Sequence, residues 1–191
     1  MDLEKILPTN GPSINEVKKY IEKYLEEIIV IKCGGSVLLD ENLFKQFIED
    51  VSVIYKLGLS VIVVHGGGKN IKKKLDKLNI ETKFIDGLRV TDEKTIKVVE
   101  EALLELNSEI INNLKNLQTN AESVAPHNKD IIKIKPEKKE LGFVGSPKEI
   151  DSKAILKIIK EKKIPIVVPM GTGDDKKTYN INADIAAGSV A

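Results

Sequence analysis

Twice in its first half the chain runs from β-branched apolar residues straight into glycine. Ile28-Ile29-Val30-Ile31-Lys32 leads through Cys33 to Gly34-Gly35, and Ser60-Val61-Ile62-Val63-Val64-His65 leads to Gly66-Gly67-Gly68. A continuous apolar run without alternation is the pattern of a strand buried on both faces of a parallel sheet. Parallel neighbours need crossovers, and helical spacing follows each glycine cluster. Leu43, Phe44, Phe47, Ile48, Val51 and Tyr55 mark a helix stopped by Gly58, and a lysine-rich helix runs to about Leu78. The expected fold is α/β, a mostly parallel sheet sandwiched by helices in three layers with right-handed crossovers.

The remaining chain extends this alternation. Ser13-Ile14-Asn15-Glu16 has the capping-box spacing and predicts a helix over 14–27. Thr91 and Asp92 open a long helix with Ile96, Val99, Leu103, Leu106, Ile110 and Leu114 on one face. Residues 118–129 read as a polar, turn-rich stretch, 130–135 as a strand and 141–150 as a loop. Asp151 caps a helix to about Lys162, Ile164 to Pro169 is another buried strand, 171–177 a turn, and Ala183 begins a final helical pattern. The expected domains are a helical extension over 1–27, a substrate-binding αβα domain over 28–178, and the start of a further part over 179–191. The last pattern stops without a capping signal, so the fold is expected to be incomplete at its C-terminus.

Charge excludes some functions. The 191 residues carry 30 basic and 29 acidic side chains, a net charge of +1, which argues against a nucleic-acid partner. No apolar run approaches the ~20 residues of a membrane span, and no secretory signal is visible. A single Cys33 rules out an intrachain disulfide framework, so a cytoplasmic location is expected. The two histidines, His65 and His127, are not at metal-ligand spacing, and no metal site is predicted.

In a parallel sheet, ligands bind where strand carboxyl ends meet helix N-termini. Both glycine clusters sit there, and together they suggest a polyphosphate cradle made of Gly34, Gly35, Gly66 and Gly67. Neither is a Walker A sequence or a Rossmann G-x-G-x-x-G. Lys32, last in its strand, either faces bound phosphate or reaches solvent. Cys33 reads as a small hydrophobe, and His65 either as a general base or, more commonly for a lone histidine, as a donor that fixes its loop. Arg89 is the sole arginine among 30 basic residues, as if this position demands a guanidinium fork. It either binds a ligand carboxylate or pairs with Asp86 or Asp92 in what reads as a loop. In Tyr179-Asn180-Ile181-Asn182-Ala183-Asp184, Asn182 can cap a helix with Asp184 in its first turn. Alternatively an Asn recognises substrate and Asp184 orients a lysine. The lysines of 72–74 and 135–139 read as solvated surface charge.

Five segments are specific in order and spacing: Ile-Lys-Cys-Gly-Gly-Ser (31–36), Val-Val-His-Gly-Gly-Gly (63–68), Phe-Ile-Asp-Gly-Leu-Arg-Val-Thr-Asp (84–92), Leu-Gly-Phe-Val-Gly (141–145) and Tyr-Asn-Ile-Asn-Ala-Asp-Ile-Ala-Ala-Gly (179–188). With them the chain resembles the amino acid kinase family, in its acetylglutamate kinase branch and the related aminoadipate-type enzymes. The resemblance implies ATP-dependent phosphorylation of the side-chain carboxylate of N-acetyl-L-glutamate to an acyl phosphate, on the arginine pathway. It implies Lys32 at the transferring phosphoryl group and Asp184 organising catalytic lysines. Gly34, Gly35, Gly66 and Gly67 would hold ATP phosphates, Gly66 and Gly67 also the reacting carboxylate. Arg89 would bind the substrate α-carboxylate and Asn180 its polar groups, with Mg2+ carried on the ATP phosphates. A homo-oligomer is implied by the N-terminal helix. Ala121 to Asp130 departs from the family's usual segment, and the family's nucleotide half would follow Ala191. A catalytically inactive binding or assembly module derived from such a kinase is the alternative.

Overall fold

The computed structural model describes residues 2–191. A short helix, α1 (Leu3–Ile6), precedes α2 (Ile14–Tyr24) and was not foreseen in the sequence. The capping box forms as expected: the Ser13 hydroxyl accepts from the Glu16 N–H, and the Glu16 carboxylate accepts from the Ser13 N–H at 3.0 Å. The helix ends at Tyr24, three residues early, because the β-branched run from Ile28 draws the chain into a strand.

The main sheet contains β1 (Ile28–Cys33), β2 (Ser60–His65), β5 (Ala121–Val124) and β8 (Ile164–Val167), all parallel, in the order β1-β2-β8-β5. Alternate residues of β2 enter different cores. Val61 and Val63 pack with α3 (Glu41–Lys56) and the second half of α5 (Glu93–Asn116), through Val51, Leu106 and Ile110. Ile62 and Val64 pack on the other face with α6 (Ser152–Lys160) and α7 (Ala183–Val190), through Ile155, Ile158 and Ala186. This is the predicted layering. It does not hold for β1, whose run predicted burial on both faces. β1 is an edge strand with partly exposed residues, Ile28 being 40% exposed, because only β2 pairs with it.

A second sheet, absent from the sequence reading, has the order β10-β9-β6-β7. Its strands are β6 (Ile132–Pro136), β7 (Gly145–Ile150), β9 (Met170–Thr172) and β10 (Thr178–Asn180). β7 lies within the expected loop 141–150; Gly145 and Pro147 hid it, and pairing with β6 shifts register between Lys133 and Ile134. The expected turn 171–177 begins inside β9, and only 173–177 form the connection of an antiparallel hairpin, β9–β10. Likewise β5 occupies part of the stretch read as turns. Its Ala-Glu-Ser-Val lacks an apolar run, yet it pairs along β8, and Glu122 accepts ion pairs from Lys129 and Lys163.

The segment before α5 is not a loop but a small hairpin, β3 (Phe84–Ile85) and β4 (Leu88–Arg89). Its turn residues Asp86 and Gly87 both have positive φ, 49° and 79°, the requirement of a type I′ turn that an Asp-Gly pair satisfies. Between β2 and this hairpin runs α4 (Gly68–Lys77), pinned to α5 by Lys74, which pairs with Glu101 and Glu105. Lys74 is therefore not free surface charge.

Candidate active site

Parallel register places the carboxyl ends of the strands side by side: Cys33 lies opposite His65, and Val64 opposite Val167. The chain turns at this edge, and a cleft of about 260 Å3 opens above it. Lys32, Gly34, Gly35, Gly66, Gly67, Arg89, Asn180 and Asp184 all line it. Residues drawn from β1, β4, β10, α7 and the turns after β1 and β2 thus meet in one place.

The two glycine loops form a common cradle. A Cβ on Gly35 would lie 3.6 Å from the amide nitrogen of Lys69 and 3.7 Å from that of Gly68, and one on Gly66 would lie 3.8 Å from the nitrogen of Gly35. The first N–H groups of α4 lack intrahelical acceptors and add the positive end of a helix dipole. Gly67 packs so closely that a Cβ would stand 2.5 Å from Cδ2 of Leu103.

Lys32 extends from the end of β1, and its Nζ lies 2.8 Å from Oδ1 of Asp184 in the first turn of α7. That turn is built locally, since the Asn182 side chain accepts from the Asp184 and Ile185 N–H groups at 2.8 and 3.2 Å. Asn182 is thus the cap, and its capping role leaves Asp184 to hold the lysine.

Arg89 is 8% exposed. Its NH1 donates to the Thr82 hydroxyl at 3.3 Å, its NH2 to the Gly68 carbonyl at 3.1 Å, and its guanidinium lies 4.8 Å from the Phe84 ring centre. Among the described residues it makes no ion pair within 4 Å: Asp86 pairs with Lys138, and Asp92 caps α5 by accepting from Lys94 and Thr95. Burial pulls the guanidinium pKa below its usual value, with partial relief from Asp76. A half-compensated buried fork lining a cleft has the chemistry to accept a carboxylate bidentately.

The segment 141–145 braces both walls. Gly142, at φ 67°, meets Thr91 so closely that a Cβ would lie 2.4 Å from the Thr91 carbonyl oxygen. The Phe143 N–H donates to that oxygen at 2.7 Å, and the Phe143 carbonyl accepts from the Asn180 N–H at 3.0 Å. Behind the cleft, Cys33 is 3% exposed, and burial pushes its thiol up to about 11. His65 is fully buried, which pushes its pKa down to about 4, so it faces the core as a neutral ring. Asn107 of α5 contacts it, a polar residue in an apolar stripe that helical periodicity alone does not single out. His127 is exposed in the turn after β5.

Residues 27–191 match the amino acid kinase family. The chain belongs to that family. It is 52% identical over 190 residues to an acetylglutamate kinase of Pelagibacter ubique, covering 100% of this chain and 66% of that one. An acetylglutamate kinase of Caldanaerobacter subterraneus is 41% identical over 179 residues, 92% of this chain and 60% of its own. The chain therefore spans between 60% and 66% of the length of these two relatives. Among solved structures, a protein of Streptococcus mutans superposes with a TM-score of 0.79 at 28% identity, covering 86% of this chain and 67% of the other. The matched range contains both glycine loops and the residues named above as lining the cleft. No described helix is long and apolar enough to cross a membrane.

Proposed function

We propose that this chain carries the amino-acid-binding and phosphoryl-transfer centre of an acetylglutamate kinase, acting in arginine biosynthesis in the cytoplasm. The observation that carries the reading is Arg89: a buried guanidinium without a carboxylate partner shares one small cleft with two glycine loops and the Lys32–Asp184 pair. One wall recognises a carboxylate and the other suits phosphate, which is what phosphorylating the far end of an acidic amino acid demands. The relatives named acetylglutamate kinase direct the choice to N-acetyl-L-glutamate.

In this reading Arg89 clamps the α-carboxylate, Asn180 orients the polar groups of the substrate, and the Gly67 amide holds the reacting carboxylate; Gly66, whose own N–H is spent on the Cys33 carbonyl at 2.7 Å, does not donate as expected but keeps the cradle free of a side chain. One carboxylate oxygen forms a bond to the terminal phosphorus of ATP as the bond to the ADP oxygen breaks, giving an acyl phosphate. Lys32 offsets charge on the equatorial oxygens, Asp184 holds Lys32 in place, and Gly34 and Gly35 donate to phosphate. The cradle suits ATP, because side-chain-free backbone closely lines it, and Mg2+ would ride on the phosphates as their counter-ion. Residues 28–178 act as the substrate domain and 179–191 begin the nucleotide part. Copies would associate through α2, which exposes Tyr20 and is followed by the exposed Leu25.

Calorimetric titration of the 191-residue chain with N-acetyl-L-glutamate tests the binding half, and hydroxylamine trapping of acyl phosphate with ATP present tests the chemistry. Binding that disappears in Arg89→Met is expected. A preference for an aminoadipate-type ligand would reassign the substrate, and no binding to either would overturn the reading.

A further inference from the structure

His65 stands directly behind the glycine cradle and outside the cleft, fully buried. Its Nδ1 lies 3.0 Å from the Gly66 carbonyl oxygen, which requires a proton on Nδ1. Its Nε2 lies 3.1 Å from Nδ2 of Asn107, and the same Nδ2 lies 3.0 Å from the Ile166 carbonyl oxygen. An amide nitrogen that donates to Ile166 also donates to the ring, so Nε2 must carry the lone pair. Two independent contacts specify one tautomer.

This tautomer has a consequence for the cradle. In a trans peptide the carbonyl and the following N–H point in opposite directions, and the chain has no cis bonds among its described residues. Pinning the Gly66 carbonyl against His65 therefore turns the Gly67 N–H away from the core. The Gly66 N–H is already given to the Cys33 carbonyl at 2.7 Å, and the Gly67 carbonyl accepts from the Ile71 N–H at 2.8 Å. With the Gly66 N–H and the Gly67 carbonyl engaged, the Gly67 N–H is the donor that this peptide adds to the free N–H groups at the start of α4.

We infer that His65 and Asn107 are positioning residues: Asn107 holds the His65 tautomer, and His65 aims the Gly66–Gly67 peptide at bound carboxylate or phosphate. The inference rests on the ligand reading of the cleft given above. It also accounts for a histidine buried outside the cleft, and it gives α5 a second link to the site. The N-terminus of that helix follows Arg89, and Asn107 backs the glycine loop.

Two replacements of His65 separate aiming from packing. His65→Asn places an amide N–H where Nδ1–H stood, whereas His65→Gln places its polar end where Nε2 stood. Both leave a similar void and a similar loss of thermal stability. N-acetyl-L-glutamate affinity by calorimetry should stay within about three-fold of the parent in His65→Asn and fall about ten-fold in His65→Gln, the scale of one lost hydrogen bond to a charged ligand. Equal losses in both variants would overturn the positioning role.

Nitrogen-15 spectra of the histidine ring and the Gly67 amide in the ligand-free chain give a readout independent of any ligand. Expected are a protonated Nδ1 in the parent, a mixed tautomer in Asn107→Leu, and a Gly67 resonance that moves in His65→Gln but not in His65→Asn. An Nε2–H ring in the parent, or a Gly67 resonance unmoved in His65→Gln, overturns the inference. If the parent binds no N-acetyl-L-glutamate, the ligand reading falls, and these spectra alone decide whether the pair sets the peptide.

Discussion

Lys32 Nζ sits 2.8 Å from Asp184 Oδ1, joining the end of the first strand to the first turn of the last helix. The carboxylate is 71% exposed and the lysine side chain 33%. Such a pair adds little to folding, from nothing to about 1 kcal/mol.

Its value is therefore expected in the chemistry. Lys32→Met should lower the rate of hydroxamate formation by about 10²–10³-fold, the usual cost of removing one preorganised donor from developing charge. The thermal midpoint should barely move. A melt and a trapping assay on the same preparation check both; a large loss of stability with an unchanged rate would remove Lys32 from the site.

Arg89 presents the opposite balance. Its buried charge lacks a carboxylate partner, so Arg89→Met should alter stability by no more than about 1 kcal/mol, lost hydrogen bonds being offset by relief of desolvation. N-acetyl-L-glutamate affinity should disappear. Arg89→Lys keeps charge but not the fork and should still lose roughly ten-fold in affinity. Titration calorimetry beside chemical denaturation distinguishes the two effects.

Gly142 is a structural keystone for both walls. Gly142→Ala forces a Cβ to within 2.4 Å of the Thr91 carbonyl oxygen at positive φ, so a loss of about 3 kcal/mol or more is expected in urea unfolding. Gly58 also has positive φ, 84°, but an added Cβ there meets nothing within 4 Å. Gly58→Ala should cost only about 1 kcal/mol.

Burial of His65 makes stability depend on pH. Its folded pKa, about 4, lies below the usual ~6.5 of an unfolded histidine. Above pH ~6.5 both states hold a neutral ring. As pH falls towards 4 the unfolded chain takes up a proton that the native state refuses, and native stability drops by about 3 kcal/mol. Asp92 and Glu122, held below the usual carboxylate range chiefly by the Thr95 N–H and the Lys163 ammonium, add losses at lower pH. Urea midpoints measured across this window should lose the slope above pH ~4.5 in His65→Asn.

Much of the architecture is legible where the cause is local. The Ser13–Glu16 box, the Asp92, Asp151 and Asn182 caps, and the Gly58 stop each act within a few residues, and the corresponding helices form at those positions. β5 and β7 were hidden because Ala-Glu-Ser-Val and Gly-Ser-Pro-Lys-Glu-Ile have neither apolar runs nor clean alternation; distant partners supply their pairing. The Asp86-Gly87 hairpin did have a local signal in its turn residues. Asn107 had almost none, since its meaning depends on His65 and Ile166 in other elements.

By itself the sequence determined the strand-to-glycine turns, the helix caps, and the lone arginine among lysines, all set by conformational preferences and side-chain chemistry over short spans. Only the tertiary structure decided that β1 is an edge and that β10 and α7 bring Asn180 and Asp184 into the cleft with Lys32. It also decided that Arg89 faces the cleft without a carboxylate of its own. Those outcomes depend on which distant segments bury one another and pair their backbones, and no run of neighbouring residues contains that information.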